Sequence, residues 1–156
     1  MGRKNSPSAN KELNELIAQY ETARAENRQL YLDGDQLADI ADQYAAERKF
    51  NEAQEVITYG LHLHPDSTDL LVEQAYLYLD TGKIPLAKKV VESITDEYDT
   101  DVKMLKAELM LNEGQLENAR NVLDTIEDAD ELETIINIVY LYMDMGYPEA
   151  AKEWLD

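Results

Sequence analysis

Apolar positions along most of this chain recur three or four residues apart, the spacing that lines one face of an α-helix. Leu71, Ala75, Tyr78 and Leu79 make one such stripe, and Leu86, Val90, Val91 and Ile94 make the next, with Gly82 between them. The pattern then returns at intervals of 32 residues, in AYLYLDTGKIPLAKK (75–89), AELMLNEGQLENAR (107–120) and VYLYMDMGYPEAAK (139–152). Gly82, Gly114 and Gly146 fall in step, as do Ala87, Ala119 and Ala151, each alanine followed by a basic residue. A fixed period of this length marks a repeat array. Each copy predicts a helix, a tight turn at the glycine and a second helix, the glycine serving as a hinge that tolerates a left-handed backbone.

Local signals agree with this reading. Asp66 and Ser67 stand where an N-cap belongs, and the acids of DEYDTD (96–101) stand ahead of the next first helix. Pro85 and Pro148 fall early in second helices, where a missing N–H is harmless. Small residues have a mechanical reason: Ala41, Ala75 and Ala107 on first helices face Ala53, Ala87 and Ala119 on second helices, so the pairs approach closely. A further copy upstream, residues 34–65, carries Leu37, Ile40, Ala41, Tyr44, Ala53, Ile57, Gly60 and Pro65 but has no glycine at its turn. Ahead of it, Leu13, Leu16, Ile17 and Tyr20 predict an amphipathic helix that caps the array.

The residues of that upstream copy resemble the tetratricopeptide repeat, whose pattern is W-x2-L-G-x2-Y, then A-x3-F, then P. Leu37, Ile40, Ala41, Tyr44, Ala53, Ile57 and Pro65 occupy its positions. The resemblance implies an all-α chain, an α-solenoid of antiparallel helix pairs winding into a right-handed superhelix. The expected organisation is a disordered tail over 1–9, a capping helix over 10–32, and an array of repeats at 34–67, 68–99, 100–131 and, in part, 132–156.

Composition narrows the function. The chain has 156 residues with 33 acidic and 14 basic side chains, a formal net charge of −19. That field repels nucleic acid and anionic membrane surfaces. No apolar run has the length of a membrane helix. The absence of cysteine suits a reducing compartment, and a cytoplasmic location is expected. The start fits the myristoylation pattern through Gly2 and Ser6, although a plain terminal tail explains it as well.

No arrangement of catalytic type is present: no phosphate loop, no nucleophile elbow, no cofactor motif. His62 and His64 lie two apart and would point about 200° apart on a helix, so they read as surface side chains rather than metal ligands. The acidic runs 96–101 and 127–133 lack the alternation of a calcium loop. The expectation is a non-enzymatic module with no cofactor or metal.

The resemblance implies a protein or peptide partner held along the first helix of each repeat. Carried over position by position, that surface holds Ala38, Asp42 and Ala45, then Val72, Tyr76, Leu79 and Asp80. It continues with Met104, Glu108, Leu111 and Asn112, then Ile136, Tyr140, Met143 and Asp144. The clamp that some members use for a C-terminal carboxylate would fall on Ala38, Asp42, Glu73, Asp101 and Leu105, which would repel an anion. The expected ligand is therefore basic and apolar. Two alternatives are an end fragment of a longer solenoid that self-assembles, and an accessory domain of a larger enzyme. An apolar C-terminal edge at Tyr142, Ala151 and Leu155 would serve a homo-oligomer.

Overall fold

A computed structural model describes residues 7–127 and 129–155. The myristoylation pattern and most of the expected tail lie outside these residues. Among the described residues there are nine helices and no strand: α1 (Pro7–Ala25), α2 (Gly34–Ala46), α3 (Phe50–Leu63), α4 (Thr68–Asp80), α5 (Ile84–Ser93), α6 (Thr100–Asn112), α7 (Leu116–Leu123), α8 (Leu132–Asp144) and α9 (Pro148–Leu155). None of them is long and apolar enough to cross a membrane.

The three glycines end α4, α6 and α8 in the same way. Gly82, Gly114 and Gly146 have φ of 76°, 78° and 87°. Each N–H bonds three residues back, at 3.1 Å, and the following N–H reaches five residues back: Lys83 to Tyr78, Gln115 to Met110, Tyr147 to Tyr142. This double closure satisfies carbonyls that a helix end leaves open. The same pair of bonds closes α2, from Arg48 to Ala45 and from Lys49 to Tyr44, but here the left-handed residue is Arg48, at φ 61°. Asn27, at φ 54°, closes α1. The same turn thus forms at α2 without a glycine.

A Cβ at Gly114 would meet nothing within 4 Å, so strain alone sets the cost of a side chain there. Gly114→Val is expected to lower unfolding free energy by about 1–3 kcal/mol. Arg48→Gly is expected not to lower it. The relief of left-handed strain, about 1–2 kcal/mol, exceeds the loss of the Arg48 guanidinium over the Phe50 ring at 5.2 Å, about 0.5–1 kcal/mol. Urea midpoints of the two variants check both signs.

The chain divides into two compact units, residues 1–83 and 84–156, with the boundary between α4 and α5 inside the second expected repeat. In the first unit α2 packs on α3, and α4 packs on both. Leu37, Ile40, Tyr44, Ile57 and Leu70 form the centre of its core. Gly60 lets α3 come close to α4, since a Cβ there would lie 2.8 Å from a Leu70 methyl. Gln54 and Gln74 exchange amide hydrogen bonds of 2.9 and 3.0 Å between the same helices.

Helix α1 lays Leu13, Leu16 and Ile17 against this core and buries Tyr20 in it. It starts at Pro7, within the expected tail, and stops at Ala25 rather than running to residue 32. The stop is the left-handed Asn27, and the stretch beyond it is non-helical with its own anchors. Tyr59 donates to the Leu30 carbonyl (2.9 Å), and His64 Nε2 lies 2.8 Å from the Leu32 carbonyl with its ring edge-on to Tyr31. His64 is therefore half-buried and fixes the connection, unlike the exposed His62.

In the second unit α5 and α7 pack on α6, and α8 pairs with α9. Its core gathers Met104, Ala107, Leu111, Leu123, Ile138 and Tyr142. Lys103 is buried, and its ammonium donates to the Thr125 carbonyl at 2.8 Å, tying α6 to the end of α7. Helix starts follow their side chains: Ser67 Oγ accepts from the Leu70 N–H (3.3 Å), and an Asp99 carboxylate oxygen from the Val102 N–H (3.1 Å).

The expected open C-terminal edge needs correction. Tyr142 and Ala151 are 0% and 2% exposed. Helix α9 packs back on α8, and Trp154 lies against the core they belong to. Only Leu155 of the three stays exposed.

Candidate partner interface

The first unit holds a small cleft of about 70 Å³. Its floor is made of alanines, Ala41, Ala45 and Ala46 of α2 and Ala53 of α3. Short side chains at these positions leave space that a leucine would fill. The walls come from Asp42 of α2 and from Glu73, Tyr76, Leu77 and Asp80 of α4. Residues 73, 76, 77 and 80 recur at helical spacing, so one face of α4 points at the cleft. Three carboxylates thus surround one aromatic ring and a shallow apolar floor. Glu73 is buried, and burial raises the Asp80 carboxyl above its ordinary range even though solvent reaches the residue. The positive charge of Arg48 acts against that rise, and a further cation brought to the cleft would be attracted by the same carboxylates.

The second unit offers a different surface. Leu132, Ile136, Tyr140 and Met143 are exposed by 72%, 42%, 63% and 53%. They stand four, four and three residues apart, which places them on one face of α8. A surface helix normally turns such a stripe inward. Helix α8 has a second apolar face for that purpose, through Ile138, Leu141 and Tyr142. Glu131, Glu133 and Asp144 flank the exposed stripe in sequence.

The residues expected to bind a partner separate into two sets. Asp42, Tyr76 and Asp80 come together at the cleft, with Ala45 beneath them, while Leu79 is half-buried outside its lining. Ile136, Tyr140, Met143 and Asp144 are exposed on α8, and Asn112 is exposed at the end of α6 with Glu108 half-buried on the same helix. Four others are not on an open surface. Ala38, Val72, Met104 and Leu111 are exposed by only 0–4%. The reason is packing: in the first unit α2, which carries Ala38, meets α1, α3 and α4, and α4 meets α2 and α3, while in the second unit α6 meets α5 and α7, so more than one face of each is covered. The apolar content of α6, with Val102, Met104, Leu105, Leu109 and Leu111 all buried, is the signal that could have shown this, since a helix apolar all round is an interior one.

Two residues of these surfaces were not among those expected. Glu73 entered only as a position of the carboxylate clamp, yet it is a wall of the cleft. Leu132 begins the α8 stripe and could have been found four residues ahead of Ile136. Among the described residues no group of three or more His, Asp or Glu side chains is placed to hold a metal ion.

No curated protein and no solved structure matches the chain. The family model of the tetratricopeptide repeat matches residues 44–109, which run from Tyr44, across the Gly82 turn, to α6. Proteins with this repeat generally serve protein–protein interaction. Residues 44–109 of this chain are therefore similar to tetratricopeptide repeats.

Proposed function

We propose that this protein is a non-enzymatic interaction module of the cytoplasm, and that it holds a partner segment presenting basic residues beside apolar anchors. The observation that carries the reading is the exposed apolar stripe of α8, Leu132 to Met143. Contiguous apolar surface rimmed by polar groups marks an interaction site more often than scattered apolar residues do. The cleft of the first unit supports the same chemistry, with Tyr76 as a ring to pack against and Asp42, Glu73 and Asp80 to select a cation. Apolar contact supplies most of the affinity, at roughly 25 cal/mol per Å² before ordering costs. The carboxylates steer encounter and select sign, with little energy from each exposed pair.

A random peptide library displayed against the protein tests this. Bound sequences should be enriched in Lys or Arg together with Leu, Ile, Phe or Tyr. Enrichment of acidic sequences, or of C-terminal carboxylates, would contradict the reading.

A further inference from the structure

Two positions of the third copy depart from their counterparts, and a groove opens beside them. Tyr44, Tyr78 and Tyr142 stand at the same place in the other copies, and Met110 stands there in α6. Four residues earlier, Lys106 replaces the isoleucine that two copies have, Ile40 and Ile138, each 0% exposed. A lysine keeps its charge at the surface, and a methionine lacks the breadth of a tyrosine ring. Between α5 and α6 these two residues line a groove of about 470 Å³ whose floor is buried Val91, Ile94 and Leu109. Lys88 of α5 and Glu113 at the end of α6 pair at 3.1 Å on its rim. Glu92, Glu97 and Lys106 line the same groove, and among the described residues none of these three side chains has an ion-pair or hydrogen-bond partner. We infer that this groove is a further docking site, and that its occupant is an aromatic side chain of a partner polypeptide with a basic residue beside it.

The aromatic part follows from the repeat. Met110 offers a thioether where the other copies carry a ring, so a ring brought by a partner supplies the apolar contact this copy lacks. The volume falls in the range of roughly 300–1,000 Å³ that sites for one compact group have. From Lys106 to Glu113 the α6 wall runs about 10 Å, the length of about three extended residues. The site thus takes an anchor and its immediate neighbours. Its rim is exposed at Lys88, Glu92, Glu97 and Glu113, whereas small-molecule sites enclose most of their ligand. A side chain attached to a polypeptide outside the groove fits that openness. The sign follows from the unpaired groups. Lys88 and Glu113 neutralise each other, which leaves two carboxylates against one ammonium. The carboxylates favour a cation next to the ring, and the Lys106 ammonium can donate to a main-chain carbonyl of the occupant. The groove shares the partner chemistry proposed above but no residue with the α2–α4 cleft or the α8 stripe.

Titration of the capped peptide acetyl-Arg-Trp-Arg-amide into the isotope-labelled full chain tests this, read by amide and methionine-methyl spectra. The Met110 methyl signal should move upfield as a ring covers it, and the amides of Val91, Ile94 and Leu109 should shift saturably. Acetyl-Glu-Trp-Glu-amide should bind there more weakly, by about tenfold or more. Met110→Tyr supplies the ring from the chain itself and should abolish the shifts at Val91 and Ile94 while the protein stays folded. Glu92→Lys, Glu97→Lys changes exposed side chains only and should reverse the preference between the two peptides. An unmoved Met110 methyl, equal binding of the two peptides, undiminished binding by a folded Met110→Tyr protein, or no reversal in the double variant would overturn the inference. Shifts confined to Leu132–Met143 would overturn it while supporting the α8 surface, and shifts confined to the α5–α6 groove would uphold it without that surface, so the two readings fail separately.

Discussion

Truncating Tyr142 to alanine lowers the unfolding free energy by about 3–5 kcal/mol, the loss that accompanies removal of a fully enclosed ring. The side chain is 0% exposed and sits in the core of the second unit. Tyr142→Phe behaves differently. Burial raises the phenol pKa, and among the described residues the hydroxyl has no hydrogen-bond partner; Trp154 lies beside it without suitable geometry. Removing an unsatisfied buried hydroxyl is neutral or stabilising by up to about 1 kcal/mol. Tyr44 fills the same repeat position in the first unit, but its hydroxyl donates to the Glu21 carboxylate of α1 at 2.9 Å. Burial and that hydrogen bond hold its pKa well above the ordinary tyrosine value. Tyr44→Phe therefore costs about 0.5–1.5 kcal/mol. Urea denaturation of the three variants decides, and a Tyr142→Phe protein weaker than Tyr44→Phe would contradict the account of both hydroxyls.

Much of the architecture was legible because the repeat carries its own punctuation. Gly82, Gly114 and Gly146 mark three helix ends without ambiguity, since a left-handed backbone is what a glycine at the end of an apolar stripe is for. Pro148 and the caps at Ser67 and Asp99 fixed three starts. Less legible was the turn at Arg48, where nothing in the residue type announces a left-handed conformation. The end of α1 at Ala25 was missed for a similar reason. Its last turn, ETARAE, is good helix sequence, and only Asn27 carries a signal, a weak one.

The candidate surface was legible in part. Position within a repeat found Asp42, Tyr76 and Asp80, which converge, and Ile136 and Tyr140, which are exposed. It failed at Val72, Met104 and Leu111 because offset within a repeat does not count the neighbours a helix will have. Stripes on one helix face identified direction, while the number of packed faces depends on tertiary partners. Leu86 makes the same point from the other side: it fits the apolar spacing of α5 and yet stays 44% exposed.

Loss of both aromatic anchors is expected to weaken partner binding by roughly 30-fold or more, the scale of a hot spot worth about 2 kcal/mol. Tyr140 is 63% exposed, so alanine there removes contact area with little effect on the fold. Tyr76 is half-buried in a wall of the cleft, so the melting temperature of its variant is followed in parallel. The central claim is that the aromatic and acidic surfaces of the first helices are where a basic, apolar segment is held. Titration of one library-selected peptide into the wild type and into the Tyr76→Ala, Tyr140→Ala double variant measures it most directly. The account predicts a Kd raised at least about 30-fold with the fold retained; an unchanged Kd in a folded double variant would contradict it.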